Sequence, residues 1–217
     1  MRPCHGTIFC LLALGSLVAG CDSGAGKPDP ALVEALRDLY LLEVEPAGAV
    51  TPVDWHEAQA QPTAEDEAPA EAIDLVETAA AKPGSNAETT DSRVVVMGRV
   101  GGMPSPFDQS VDQGFPFREG EAAFFLVDPA TAAEFESHAA EKGSDHAADC
   151  PFCSREAAGK TDAVAMVTFA GESGAPAPVD VRELFDLKEG DLAVVRGEWS
   201  LEGGLLVVAA DGLFIRE

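Results

Sequence analysis

The chain has 217 residues, with 38 Asp and Glu against 14 Lys and Arg, for a formal charge of −24. Such a surface makes nucleic acid a poor partner, because phosphate contacts need clustered Lys and Arg. Anionic lipid is equally poor as a direct contact, whereas a charge of this size keeps a protein soluble and leaves divalent cations and basic partners open.

Arg2 supplies a short positive start, and Ile8 to Val18 is a mostly apolar stretch interrupted by Gly15 and Ser16. It is too short to span a bilayer comfortably and reads as the core of a signal peptide over residues 1–20. The string Leu17-Val18-Ala19-Gly20-Cys21 follows directly and resembles the bacterial lipobox, which implies cleavage before Cys21 and lipidation of its thiol. Each buried methylene of an acyl chain contributes about 0.8 kcal/mol, so two or three chains anchor stably. The expected partner is therefore a membrane, reached through lipid, in an extracytoplasmic envelope compartment. Cys4 and Cys10 leave with the signal peptide, so with Cys21 lipidated only Cys150 and Cys153 remain as thiols.

Residues 21–28 form a Gly-bearing tether. Asp29-Pro30 then opens a helix with an N-cap residue and a proline at the first helical position. Leu32, Val33, Leu36, Leu39 and Tyr40 recur at helical spacing. The segment 29–53 is thus an isolated amphipathic helix that needs a surface to pack on, either the later domain or another envelope protein. From Asp54 to Asp91 the composition shifts to Ala, Glu, Pro and Thr, and the stretch 54–91 reads as a disordered acidic linker.

Order returns at residue 92. Val94 to Val100 reads as a first strand. A loop rich in Gly, Pro and Phe leads to a second strand at Phe124–Val127. Asp128-Pro129 caps a helix running to Lys142 and closed by Gly143. Ala163–Phe169 is a third strand, Val179–Leu187 a short helix or turn, Asp191–Trp199 a fourth strand and Leu205–Ala210 a fifth. Gly203-Gly204 makes the hairpin between the last two, and Leu213–Arg216 closes the chain. Five strands in such a length predict a mainly β domain over 92–217: a small five-stranded OB-like (oligonucleotide/oligosaccharide-binding-type) barrel with a helix between strands 2 and 3. Spacing alone also allows a β-sandwich or an SH3-like barrel.

His138, His146, Cys150 and Cys153 fall within one short segment, spaced His-x7-His-x3-Cys-x2-Cys. Pro151 disfavours helix at Cys150 and predicts a turn that aims both thiolates at one point. Two sulfurs and two imidazoles form a tetrahedral set for zinc, and soft ligands also suit copper(I). Asp145 and Asp149 stand ready to orient the imidazoles. Two alternatives share these residues. One is a structural disulfide between Cys150 and Cys153, expected in an oxidising compartment. The other is thiol–disulfide chemistry with Cys150 as nucleophile and Cys153 as resolving thiol, since Cys-Pro-Phe-Cys resembles a glutaredoxin-type motif. Ser154 follows Cys153, so covalent c-type haem attachment is excluded. No Gly-rich phosphate loop, nucleophile-elbow serine or His-Glu-x-x-His occurs, so no nucleotide cofactor and no catalytic residue is indicated. Phe107, Phe115 and Phe117 are expected to plug the barrel end rather than stack a ligand.

Several strings in order carry a family resemblance: Glu45-Pro46-Ala47-Gly48-Ala49, Val96-Met97-Gly98-Arg99-Val100-Gly101-Gly102, Ala122 to Pro129, Asp145 to Pro151, Val179 to Leu184, and Val194-Val195-Arg196-Gly197. Together they resemble a family of uncharacterised planctomycete lipoproteins with an OB-like domain. The family carries no established activity, so the resemblance implies an OB-like fold and an envelope location rather than a function. Arg99 to Met103 is also similar to a string in periplasmic haem chaperones. Those proteins attach haem through a downstream His, and none follows Cys153 here.

Overall fold

The computed structural model describes residues 28–60, 92–107, 114–142 and 151–216. The architecture is mainly β, built on five strands: β1 (Arg93–Val100), β2 (Ala123–Val127), β3 (Val164–Phe169), β4 (Leu192–Glu202) and β5 (Leu205–Arg216). Five helices accompany them among the described residues: α1 (Pro30–Tyr40), α2 (Pro52–Ala60), α3 (Pro129–Lys142), α4 (Pro151–Ala157) and α5 (Val181–Phe185). The strands pair in the order β1-β2-β3-β5-β4, and β4 returns to β1, so the mixed sheet closes on itself as a barrel. All pairings are antiparallel except β3 with β5, which is parallel. Closure gives each of these strands a partner on both sides, and this is how a small all-β unit avoids edge-to-edge association.

Alternation along the strands sorts two apolar clusters. Phe124, Leu126, Val167 and Phe169 face the interior with Val96, Val195, Leu206 and Val208. The intervening Phe125, Val127 and Val164 point outward and are also buried. They lie beneath Ala132 and Phe135 of α3, Cys153 and Ala157 of α4, and Met103, with the partly buried Phe107 and Phe115 alongside. β2 is therefore buried on both faces, which explains why it reads as an unbroken apolar run. Phe107 and Phe115 each lie 5.3 Å from Phe125, ring centroid to centroid. Phe117 instead joins the interior cluster, where the Arg182 guanidinium stands 5.2 Å over its ring.

Of the two surfaces expected for the N-terminal helix, the later domain is the one it packs on. α1 is not isolated. Its amphipathic face lays Leu36 and Tyr40 into the barrel's own core, and the Tyr40 hydroxyl donates to the Ala170 carbonyl at 2.7 Å. The Arg37 guanidinium donates to the carbonyls of Leu184 and Glu183 on α5. Beyond α1, the Leu42 amide donates to the Leu213 carbonyl, and Val50 exchanges hydrogen bonds with Val95 and Met97 of β1. Arg216 grips Glu45 with both Nε and Nη2. A helix this short gains its stability from tertiary packing, and the barrel supplies the surface.

The linker expected from Asp54 is also corrected at its start. Residues 54–60 belong to α2, and Trp55 is buried against Trp199 with ring centroids 4.7 Å apart. The helix start is a reciprocal cap: the Asp54 amide donates to Thr51 Oγ1 at 3.2 Å and the Thr51 amide to the Asp54 carboxylate at 3.4 Å. The fifth strand and the closing segment are one continuous strand, with a register shift opposite Arg196/Gly197 absorbing the local twist. The expected signal peptide, the expected lipidation at Cys21 and most of the expected acidic linker fall on residues 1–27 and 61–91, outside the described residues.

Candidate functional site

Of the four candidate metal ligands, the described residues include two. Cys153 lies on α4, buried in the outer apolar cluster with Phe125, Phe135 and Val164. His138 lies on α3 and is exposed. Cys150 and His146 lie outside the described residues, as does Cys21. Among the described residues no group of three or more His, Cys, Asp and Glu is arranged to hold a metal ion, and no helix is long and apolar enough to cross a membrane.

The turn expected at Cys150 lies outside the described residues. Pro151 itself opens α4. Proline at the first helical position loses nothing, because that amide has no helical partner. Cys153 is then the third residue of a helix and belongs to the apolar cluster.

The outer face of β2 and β3 is not open to solvent. Here α3, α4 and the loop after β1 cover it with the chain's own apolar side chains.

A cleft of about 440 Å³ opens between α2 and the paired ends of β1 and β4. Its walls are Trp55 and Gln59 from α2, Val50 from the preceding arm, Arg93 from β1, and Arg196 and Trp199 from β4. β1 and β4 bring the two arginines to neighbouring strands, since Val95 pairs with Arg196 and Arg93 with Glu198. Both guanidinium groups engage the one carboxylate of Asp211: Arg196 Nε donates to Oδ1 at 2.6 Å and Arg93 donates to Oδ2. The next residue of α2, His56, meets Trp55 edge-on at 5.0 Å, and its Nε2 is buried with no hydrogen-bond partner among the described residues.

A second hollow of about 510 Å³ lies at the start of α1, lined by Pro30, Val33, Glu34, Arg37 and Glu183. Its one arginine is already committed to two backbone carbonyls, and its carboxylates repel an anion. The first cleft is lined by both tryptophans, two arginines and Gln59.

Sequence reasoning missed this cleft. Two signals point to it: Thr51-Pro52-Val53-Asp54 has the spacing of a capping box, and the cleft holds both tryptophans of the chain together with two of its 14 basic residues. Comparison of the chain with protein-family models, with curated proteins and with solved structures finds no match.

Proposed function

We propose that this protein is a membrane-tethered, extracytoplasmic binding module of OB type without catalytic activity. The observation that supports it best is the strand order β1-β2-β3-β5-β4 closing onto β1, with β3 and β5 parallel. That order matches the OB arrangement, and the short α5 sits between β3 and β4. The tether rests on the lipobox-like Leu17 to Cys21 and on the shortness of the chain between Cys21 and α1. The resemblance to planctomycete lipoproteins agrees with both parts. The test is phase partition of the full chain made in a bacterium that processes lipoproteins. The parent is expected in the detergent phase and Cys21→Ser in the aqueous phase; a parent that partitions into water overturns the tether.

A specific observation favours a second reading for the cysteine pair. Pro151 begins α4 and Cys153 is buried within its first turn. The start of a helix lowers a neighbouring thiol pKa, and this is the setting of Cys-x-x-Cys redox pairs. In this reading Cys150 attacks and Cys153 resolves. A zinc or copper site at Cys150, Cys153, His146 and His138 is the competing assignment. Elemental analysis of the full chain, with a thiol count, separates them. A reversible disulfide without metal supports the redox pair. One equivalent of zinc or copper, lost in Cys150→Ser, overturns it in favour of metal.

A further inference from the structure

We infer that the lipid anchor holds the barrel through the packed arm of residues 28–60 and not through the acidic stretch 61–91, so that cutting this stretch leaves the barrel on the membrane. This deepens the membrane-tethered reading, on which it rests, by setting the binding module at the bilayer surface.

The arm precedes the stretch and β1 follows it, yet the two are hydrogen-bonded to each other. The Val50 amide donates to the Val95 carbonyl at 3.0 Å, and the Met97 amide donates to the Val50 carbonyl at 2.8 Å. The arm also takes up strand edges that the barrel's own pairing leaves open. β3 meets β5 only as far as Ala210, and Leu41 bridges to β5 beyond that point, at Leu213. β1 meets β2 only at Arg99 and Val100, and Val50 bridges to the earlier part of β1, at Val96. An open edge of this kind is otherwise a template for pairing with other chains. Leu36, Tyr40 and Trp55 seat in the same apolar cluster as Phe169, Val195 and Leu213. The Tyr40 hydroxyl and the Arg37 guanidinium donate to the carbonyls of Ala170, Glu183 and Leu184. Apolar burial is the dominant favourable term in association as in folding, so the hold does not need a continuous chain.

The acidic stretch begins and ends beside one residue. α2 ends at Ala60, five residues past Trp55, whose ring lies 4.7 Å from that of Trp199. At the far end the Ser92 carbonyl accepts from the Trp199 amide at 2.8 Å. The chain therefore leaves one body and returns to the same body, whereas a spacer joins two. Residues 22–29 alone separate Cys21 from Pro30. Fully extended at about 3.5 Å per residue, they reach about 30 Å. The ligand or partner of the barrel is accordingly met close to the bilayer surface and not across the envelope.

A recognition sequence for a site-specific protease is inserted between Gly84 and Ser85 of the full chain. The chain is made in a bacterium that processes lipoproteins, reconstituted in phosphatidylcholine vesicles, cut to completion as judged on a denaturing gel, and floated. The piece carrying β1 to β5 is expected to float in equal amount with the anchored piece, and to leave the vesicles once urea unfolds the complex. Release of the barrel piece in buffer overturns the inference, and so does a barrel piece that stays on the vesicles in urea. The same sequence inserted instead between Gly24 and Ala25 is expected to release the whole body on cutting; retention there shows a hold other than the anchor and overturns the inference as well. A folded chain that resists the protease is cut in dilute urea, returned to buffer and scored in the same way. The uncut parent separates this inference from the reading on which it rests. A parent that does not float sinks the tether, and the two cut pieces are then run on gel filtration: co-elution supports the hold of the arm on the barrel, and separation overturns it.

Discussion

Gly197 shows how tightly single positions are specified in the barrel. A Cβ there would collide with the Ala209 carbonyl oxygen and stand 2.8 Å from its carbon. The register shift between β4 and β5 falls at this point, where the strands approach too closely for a side chain. The clashing atoms are backbone, so they yield only by moving the strand. Gly197→Ala is therefore expected to lose about 1–3 kcal/mol, the usual cost of overpacking, read as a lower urea midpoint at unchanged slope. Gly98 is a milder case of the same kind, with a Cβ at 2.9 Å from Leu126 Cβ and the Val127 carbonyl oxygen. Neither constraint is visible in the local sequence: Gly98 sits in a Val-rich strand and Gly197 beside an arginine, and the neighbour that excludes a side chain is not adjacent in the chain.

At the scale of elements, the N-terminal arm is part of the barrel's core. Leu36 and Tyr40 are each 7% exposed and belong to the same cluster as Phe169 and Leu213. Leu36→Ala is expected to cost about 2–5 kcal/mol, the range for truncating a buried Leu. Tyr40→Phe removes only the hydroxyl bond to Ala170 and is expected to cost about 0.5–1.5 kcal/mol. In both variants the far-ultraviolet and tryptophan-fluorescence unfolding curves should coincide. Separate transitions for arm and barrel would show that α1 is an appendage. α1 is legible as a helix from its Asp29 cap, its proline and its apolar spacing. α2 is not, because it has no apolar stripe: its one buried anchor beyond Pro52 is Trp55, whose role is set by Trp199 across the fold. α4 escapes a sequence reading because proline at the first helical position and proline in a turn look alike there.

At the scale of the whole molecule, electrostatics makes stability depend on pH, and one ion pair joins the two ends of the described chain. The hydrogen bond from Arg216 is the largest of the influences holding the Glu45 carboxyl below its ordinary value. Arg182 does the same for Asp180, through its side chain first and then its amide. In both cases the folded carboxyl holds its proton less tightly than the unfolded one. The stabilisation is therefore complete above the ordinary carboxylate range, about pH 4, and is lost as pH falls through the lowered value. Glu45→Gln isolates the first pair. Its deficit relative to the parent is expected to be present at neutral pH and to shrink as pH drops below about 4. A deficit constant over that range would mean that the substitution costs packing rather than charge.

The mainly β character, the strand segments, the caps of α1 and α3 and the lipobox-like start follow from local chemistry: β-branched runs, Asp-Pro starts and small residues before Cys21 act within a few positions of themselves. The acidic balance likewise needs no fold to argue against a nucleic-acid role. The tertiary structure alone decided which surfaces meet. It placed α1 in the barrel core, covered the outer face of β2 and β3 with α3 and α4, buried Cys153 among phenylalanines, and brought Trp55 and Gln59 to Arg93, Arg196 and Trp199. Those contacts join residues far apart in the chain, and their partners are chosen by strand register and barrel closure, which no short window of sequence contains.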